Sequence, residues 1–171
     1  MEASSEGGEG LLAGASLLTR PAEEFENDAA VELMWAKKAF EHAEIYFNIL
    51  CSVDSSLLKL TPNDEEIYQL FRQVFPDFCV SVINEDEMKS TAQKEKWREY
   101  CLFFKDKVED YSFGTLLRKD CTGDYTEENS ILVTKIQFLA IELARNREGL
   151  NDSVRIKYSK KNSNTNKINT V

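Results

Sequence analysis

AAVELMWAKKAFEHAEIYFNILCS, residues 29–52, is the stretch that decides the fold class. Its apolar residues recur at steps of three and four, which places them on one face of an α-helix. Leu33, Phe40 and Phe47 belong to this face, whereas charged residues such as Glu41 fall opposite. A second apolar row widens the face. The pattern therefore predicts a helix at the centre of a hydrophobic core.

The next part of the chain predicts two helices separated by a strand. The first helix has Thr61 as its N-cap and Pro62 at its first position, and it ends before Pro76. Residues 78–84, FCVSVIN, alternate between two faces and are rich in β-branched side chains, which is typical of a strand. A helix over residues 91–105 follows, with its aromatic residues on one face.

The last third of the apolar region predicts a strand and one ambiguous segment. Residues 107–121 alternate as a strand does, with Gly114 marking a bulge or a close approach. Residues 131–147 are apolar enough to be a buried strand or a helix. Their length and the glycine that follows, Gly149, favour a helix. The predicted fold class is α+β, a helix-dominated single domain with a small β-sheet.

The two ends of the chain differ in composition from the middle. Residues 1–28 hold four of the seven glycines and carry seven acids and one base, and residues 155–171 carry five bases and no acid. Neither end has the apolar surface that offsets the entropy of ordering a chain. We expect a disordered acidic N-terminal segment at 1–28, a globular domain at 29–154 and a disordered basic tail at 155–171.

The charge and hydropathy of the chain argue against nucleic acids and membranes as partners. A net charge of −9 does not suit a phosphate-binding groove, which needs clustered Lys and Arg. No apolar run reaches the roughly 20 residues of a membrane helix, and the acidic start is a poor signal peptide. We expect a monomer in the cytoplasm, with the nucleus as a second compartment.

The motifs that catalysis, cofactors or metals require are missing from the sequence. Past residue 28 only three glycines remain, none within eight residues of another, so no phosphate-cradling loop is possible. His42 is the single histidine and is read as a satisfied helix residue. The four cysteines form no CxxC pair and suit small buried positions. We expect no enzyme activity, no cofactor and no metal.

Residues of the types enriched at protein interfaces give the candidate partner-binding set: Arg118, Arg145, Arg147, Trp97 and Arg98. Guanidinium groups near the ends of elements can pair with carboxylates of a partner, and Trp and Arg are common anchors of interfaces. The alternative for the arginines is a salt bridge within the domain, to Glu127, Glu128 or Glu142. The alternative for Trp97 is a place in the core.

Five separated runs within residues 28–152 resemble one eukaryotic family. They read SSLLKLTPNDEEIY, KEKWREYCLFF, VEDYSFGTLLRKDC, YTEEN and IQFLAIELARNREGLN, and with them the chain is similar to the polysaccharide biosynthesis domain-containing protein one family. The resemblance implies a dedicated chaperone of translation elongation factor 1A. Such a chaperone meets the nascent GTP-binding domain of that factor at the ribosome, helped by the nascent polypeptide-associated complex.

The family name suggests an alternative function, an enzyme of polysaccharide biosynthesis or modification. That function needs a sugar or cofactor pocket, for which Glu127, Glu128, Arg145 and Arg147 are the available side chains. The glycine and histidine content gives this alternative no support.

Overall fold

The computed structural model describes residues 25–159, with side chains from residue 29 onward. Residues 25–28 are helical, so the disorder predicted for residues 1–28 is wrong there. The rest of that segment, residues 1–24, and residues 160–171 of the predicted basic tail lie outside the described residues. Within them the fold class is confirmed as helix-dominated α+β with a small sheet. In chain order the elements are helix α1 (Phe25–Ser52), a 3-10 helix (Ser55–Leu57), α2 (Asp64–Val74), α3 (Glu85–Met88), α4 (Thr91–Phe103), strands β1 (Gly114–Arg118) and β2 (Ser130–Thr134), α5 (Lys135–Arg147) and α6 (152–159).

Helix α1 is present as predicted, but only its C-terminal half lies in the core. Tyr46 and Leu50 are buried, whereas Leu33 is 72% and Phe40 is 66% exposed. Trp35 of this half contacts an aromatic ring outside the helix, at 5.5 Å between centroids, and is half-buried. This half is therefore only partly covered, and the predicted central position is wrong for it. A helical repeat identifies the apolar face of a helix, but it does not say how much of the face finds a partner.

Helix α2 begins at Asp64, two residues later than predicted. Asn63 is the N-cap and its side chain makes no capping bond. The Asp64 carboxylate instead reaches back and accepts hydrogen bonds from the backbone N–H groups of Leu60 and Thr61, both at 2.7 Å. Thr61 and Pro62 therefore precede the helix, and the first-turn aspartate fixes the chain that enters it.

Residues 78–84 are not the predicted strand. Their ladder contact is an isolated antiparallel bridge between Val82 and Asp120. Val80 and Ile83 are both buried although they are three residues apart. A regular strand places residues on one face at steps of two, so burial at a step of three breaks the strand pattern. The segment runs beside the sheet without extending it.

The sheet has two antiparallel strands in the described part of the chain. Gly114 of β1 lies opposite Thr134 of β2, and Arg118 lies opposite Ser130. The predicted strand over residues 107–121 is therefore correct for five residues only. Gly114 is a regularly paired first residue and not a bulge.

The ambiguous segment at residues 131–147 is a strand followed at once by a helix. The change falls at Thr134, whose hydroxyl accepts a hydrogen bond from the Gln137 N–H at 3.3 Å. The Gln137 side-chain oxygen accepts in return from the Thr134 N–H at 3.0 Å, which completes a capping box. The predicted helix is thus right from Lys135 onward and wrong for the four residues before it.

An aromatic cluster within the core joins α2 to α4. The Trp97 ring stacks on Phe75 at 4.3 Å and on Phe71 at 5.7 Å between centroids. The Tyr100 hydroxyl donates to the Ile67 carbonyl at 2.7 Å, so its polar end is satisfied inside the core. These contacts fix the two helices against each other and confirm the predicted apolar face of α4.

Helix α6 extends the folded region to at least residue 159, beyond the predicted domain end at 154. Val154 is fully buried, and the Tyr158 ring lies 5.1 Å from the Phe47 ring of α1. The predicted basic tail therefore begins within a helix that packs on the domain.

Helix α5 ends at a glycine as predicted. Gly149 has a φ of +78°, and the Leu150 N–H donates to the Arg145 carbonyl at 2.9 Å, as in a Schellman motif. A side chain at this left-handed position is strained, so Gly149→Ala should lower the free energy of unfolding by about 1–2 kcal/mol. Gly149→Asn should cost less, since Asn tolerates this conformation better. Urea unfolding of both variants tests this, and equal losses would contradict it.

Candidate functional site

Glu142 is the centre of a polar network inside the domain. Its side chain is fully buried. Oε1 accepts a hydrogen bond from Arg145 Nη1 at 2.7 Å and lies 3.5 Å from Arg118 Nη2. Oε2 accepts from the Tyr46 hydroxyl at 2.7 Å and from Asn151 Nδ2 at 3.0 Å. One carboxylate thus joins α1, β1, α5 and the turn that follows α5.

Arg145 connects α5 to residues 78–84 and to the end of β1. Its Nε donates to the Val80 carbonyl at 2.7 Å. Its Nη2 donates to the carbonyls of Arg118 and Lys119, at 2.8 Å and 3.2 Å. Arg145 therefore satisfies backbone groups that residues 78–84 and β1 would otherwise bury without partners.

Arg118 holds the turn after β1. Its Nη1 donates to the carbonyls of Cys121 and Gly123, at 2.7 Å and 3.1 Å, and its Nη2 donates to Asn151 Oδ1 at 2.8 Å. The guanidinium lies over the Phe47 ring at 5.7 Å. Its Nε is buried without a hydrogen-bond partner. The residue packs as part of the core and keeps its charge there.

The two arginines keep the buried carboxylate ionised. Burial by itself raises the pKa of Glu142, but the charges of Arg118 and Arg145 and the hydrogen bonds it accepts outweigh burial and hold the pKa below its usual range. Burial, with the neighbouring Glu142 charge, raises the pKa of Tyr46 well above its ordinary value, so the phenol stays a donor. The carboxylate has no exposed oxygen with which to move a proton on a substrate.

The structure places three of the five predicted partner-binding residues inside the domain. Arg118 and Arg145 are 0% exposed and Trp97 is 3% exposed. The intramolecular alternatives therefore describe these residues: Trp97 is a core residue, and the arginines pair within the chain. Both arginines pair with Glu142. Within the described residues neither arginine forms a hydrogen bond or an ion pair with Glu127 or Glu128.

The other two predicted residues lie at the surface. Arg98 is exposed on α4. Arg147 donates to Glu65 of α2 at 2.6 Å, and its guanidinium lies 5.0 Å from the centre of the Tyr68 ring. Contact with a partner stays a prediction for both. Since Arg147 pairs with Glu65 and Arg145 pairs with Glu142, the two arginines suggested for a sugar pocket serve separate ion pairs.

The sequence analysis did not identify three polar members of the network: Tyr46, Asn146 and Asn151. Asn146 Nδ2 donates to the Tyr46 hydroxyl at 3.2 Å, and Asn151 Nδ2 donates to Asn146 Oδ1 at 2.7 Å. One signal was available, because Glu142, Arg145 and Asn146 interrupt an apolar helix at steps of three and one, on a single face. Nothing near Tyr46 or Asn151 in the sequence marks them.

The residues that could bind a metal or act as nucleophiles are dispersed. No group of three or more His, Cys, Asp or Glu side chains within residues 25–159 is placed to hold a metal ion. Cys51, Cys101 and Cys121 are buried, as predicted, and Cys79 is exposed. His42 packs edge-on against the Phe138 ring at 5.2 Å, and burial, with the Lys135 charge, lowers its pKa. No helix in the described part combines the length and hydropathy needed to cross a bilayer.

Four apolar side chains are exposed at the surface near the C-terminal end of α1. Ile45, Ile49, Val53 and Leu57 follow one another at steps of four and are 61%, 38%, 40% and 82% exposed. The Val53 N–H donates to the Ile49 carbonyl at 3.1 Å, so the helical spacing continues to Val53. The backbone is extended at Asp54, and Leu57 lies on the separate 3-10 helix that follows. We call these four residues the aliphatic row. Exposed apolar patches are typical of protein-binding surfaces.

These features define the class of the molecule: an α+β domain whose buried charges join its elements and whose surface carries apolar side chains. The chain matches the model of the PBDC1 protein family over residues 31–156, and it belongs to that family. This confirms the resemblance to the polysaccharide biosynthesis domain-containing protein one family that the five sequence runs indicate.

Relatives from mammals to yeasts match over most of this chain. The mouse protein PBDC1 is 50% identical over 145 residues, which cover 85% of this chain and 73% of the mouse protein. The human protein PBDC1 is 49% identical, and the match covers 85% of this chain and 63% of the human protein. The fission yeast (Schizosaccharomyces pombe) homolog is 46% identical over 138 residues, covering 78% of this chain and 94% of the homolog.

A solved structure has the same fold. It is a solution NMR structure of a Saccharomyces cerevisiae protein that is 40% identical in sequence. The two superpose with a TM-score of 0.71, and the match covers 81% of this chain and 98% of the yeast chain. The domain architecture described above is therefore shared with this yeast protein.

The buried network should make a large contribution to stability. Glu142→Leu removes the carboxylate and leaves two buried guanidinium groups without a counter-charge, so it should lower the free energy of unfolding by about 3–5 kcal/mol. Glu65→Gln is the control, because it breaks the exposed ion pair with Arg147 and water screens that pair. Urea unfolding checks both variants. Losses of similar size would contradict the central place of Glu142.

Ionisation of Glu142 should be visible as a pH dependence. A carboxyl whose pKa is lower in the folded state than in the unfolded state stabilises the fold above the unfolded pKa, about 4.3, and this contribution is lost as pH falls towards the folded pKa. The stability difference between wild type and Glu142→Gln should therefore be constant near neutral pH and shrink below about pH 4.3. Unfolding curves between neutral and acid pH measure it. A difference that does not change with pH would count against an ionised Glu142.

Proposed function

We propose that this protein is a non-enzymatic protein-binding module that acts as a dedicated co-translational chaperone of translation elongation factor 1A in the cytoplasm. Its client segment is the GTP-binding domain, met at the ribosome with help from the nascent polypeptide-associated complex. The proposal rests on one contrast: the charged groups of the network are enclosed in the domain, and apolar side chains are exposed on its surface. The ionised Glu142 is enclosed by its own hydrogen-bond donors, whereas the aliphatic row is exposed.

The charge of the chain supports a basic client. The net charge is −9, and the sequence pI is about 4.8. The proposed client is a translation factor that contacts RNA, and we expect such a protein to present basic surfaces. Complementary charge speeds the encounter between two proteins and has a smaller effect on the affinity itself. Speed matters for a chaperone that must reach a nascent domain during the short time in which it emerges.

The family distribution also supports the proposal. Relatives in mouse, human and two yeasts retain the described domain at 42–50% identity. A factor that assists a general translation protein would be required in all of these organisms. The mammalian relatives are longer than this chain, which covers 73% of the mouse and 63% of the human protein. The chaperone activity therefore should reside in the part that the chain shares with the yeast relatives.

Sequencing of the messages on ribosomes that carry this protein tests the proposal. The tagged full chain is used to isolate ribosomes, and their protected footprints are compared with those of all ribosomes. We expect footprints to accumulate on the elongation factor 1A message at positions reached after the nascent GTP-binding domain has left the exit tunnel, because the client surface is accessible only then.

Two results would overturn the proposal. One is absence of the protein from translating ribosomes, and the other is an even distribution of footprints over all messages. A matched control is the Glu142→Leu variant, which should lose the enrichment if the folded domain makes the contact. An unchanged enrichment with an unfolded variant would assign the contact to the chain ends instead.

A further inference from the structure

We infer that residues 160–171 of this chain bind the exposed N-terminal half of helix α1. This half carries Leu33 and Phe40, which are 72% and 66% exposed. The occupant is thus a segment of the same molecule, and the contact is separate from the proposed function. Three observations support it: the direction in which α6 runs, an apolar face that continues out of the core, and the charges along that face.

Helix α6 runs antiparallel to α1 and points towards the exposed half. At the first residue of α6, Asp152 accepts a hydrogen bond at 3.3 Å from Ser55, which lies just beyond the end of α1. At the other end of α6, the Tyr158 ring lies 5.1 Å from the Phe47 ring inside α1. The contacts therefore move back along α1 as α6 advances. The chain that follows residue 159 leaves α6 in the direction of Phe40.

The length of the segment fits the distance that it must cover. Phe40 lies about 10 Å along the helix from Phe47, and Leu33 lies about 21 Å from it. Residues 160–168 span about 14 Å as a helix and about 30 Å when fully extended. Ile168, one of the two aliphatic residues of the segment, therefore reaches the exposed half in either conformation.

The face that this segment would cover continues a face that is already covered. Leu33, Phe40 and Phe47 recur at steps of seven residues, so they share one side of α1. At Phe47 this side is buried and Tyr158 of α6 packs on it. Trp35 lies on the opposite side, where it contacts the domain, so Leu33 points away from the domain. Residues beyond 159 would extend the cover that α6 begins.

The charges of the segment are of one sign. Residues 160–171 contain no acid, and their bases are Lys160, Lys161 and Lys167. On α1, Glu44 lies between Phe40 and Phe47 on the shared side, and no ion pair within the described residues engages it. The first two lysines directly follow α6, so they come beside Glu44 before the segment reaches Phe40.

The lysines of α1 leave Glu44 uncompensated. Lys37 lies 3.9 Å from Glu41, and the two charges offset each other. Lys38 lies about 140° around the helix from Leu33, away from the shared side. The face therefore offers a basic segment one free carboxylate next to two exposed apolar side chains.

A contact within one chain can be small and still form. A short covalent connection holds the segment near α1 at an effective concentration in about the mM range. Two separate chains joined by the same few side chains would bury far less than the roughly 800 Å² per partner of a stable interface. The geometry therefore favours the chain's own segment over a second copy. Any partner that binds this half of α1 must first displace it.

Photo-crosslinking in the isolated full chain tests the contact. Phe40 is replaced by benzoylphenylalanine, which keeps an aromatic side chain at this position, and mass spectrometry identifies the crosslinked peptides. We expect crosslinks from position 40 to residues 160–171. The control position is Phe103 of α4, which is 49% exposed and should give no crosslink to this segment. A mixture of ¹⁵N-labelled and unlabelled chains shows whether both peptides come from one molecule.

Variants separate the apolar contact from the charged one. Ile168→Ser should lower the crosslink yield at least about fivefold, because the side chain no longer gains from burial. Glu44→Gln should lower the yield about twofold, as expected for an exposed ion pair. Glu99→Gln is the matched control, since it removes an exposed acid on α4 and should leave the yield unchanged. Circular dichroism verifies that the variants are folded.

Several results would overturn the inferred contact. They are the absence of crosslinks from position 40 to residues 160–171, crosslinks between different molecules, and crosslinks to residues 1–24 instead. An unchanged yield with Ile168→Ser would also contradict it. Because the experiment uses no ribosomes, each of these results leaves the proposed function to its own test.

Discussion

A carboxylate without access to water must receive its hydrogen bonds and its counter-charge from the protein, and Glu142 sets this condition for the whole domain. Tyr46, Arg118, Arg145 and Asn151 meet it from four different parts of the chain. Removal of any one of them leaves a buried polar group unsatisfied, which is costly at this depth. The packing of α1, β1 and α5 is therefore fixed by polar geometry as well as by apolar burial. Such networks specify one arrangement among several that apolar packing would allow.

The same network occupies the charged side chains that lie inside the domain. Side chains that give many enzymes their chemistry are present here, but the domain uses them to hold its own elements together. The described surface has apolar parts at the aliphatic row and at the exposed half of α1. Binding proteins often have this distribution, since recognition needs an exposed contact and no reactive centre.

The helical parts of the fold could be predicted from the sequence, because their signals are local. The repeat in residues 29–52, the glycine at Gly149 and the aromatic face around Trp97 each act within a few residues. The failures have non-local causes. Residues 78–84 have strand composition, but their backbone is held by Arg145, which lies 65 residues away. The change from β2 to α5 depends on a capping box at Thr134 that an apolar run conceals.

The candidate site was predictable in part, for a related reason. The types of residue at Arg118 and Arg145 indicated ionic contacts, and the structure shows these contacts inside the domain. Whether an arginine faces a partner or a buried acid depends on tertiary packing, which a single sequence does not contain. The sequence pattern did not predict the aliphatic row, because Val53 and Leu57 lie beyond the predicted helix over residues 29–52 and periodicity does not give exposure.

The network also imposes an order on the synthesis of the protein itself. Tyr46 contacts Glu142 across 96 residues, and it contacts Asn146 across 100 residues of chain. These contacts between distant residues can form only after the region up to Asn151 has left the ribosome. Until then the part of α1 that packs on α5 has no partner from that helix. The protein proposed to protect unfinished chains therefore completes its own fold late in its synthesis. A message truncated before α5 would yield a chain that lacks Glu142 and cannot form the buried network.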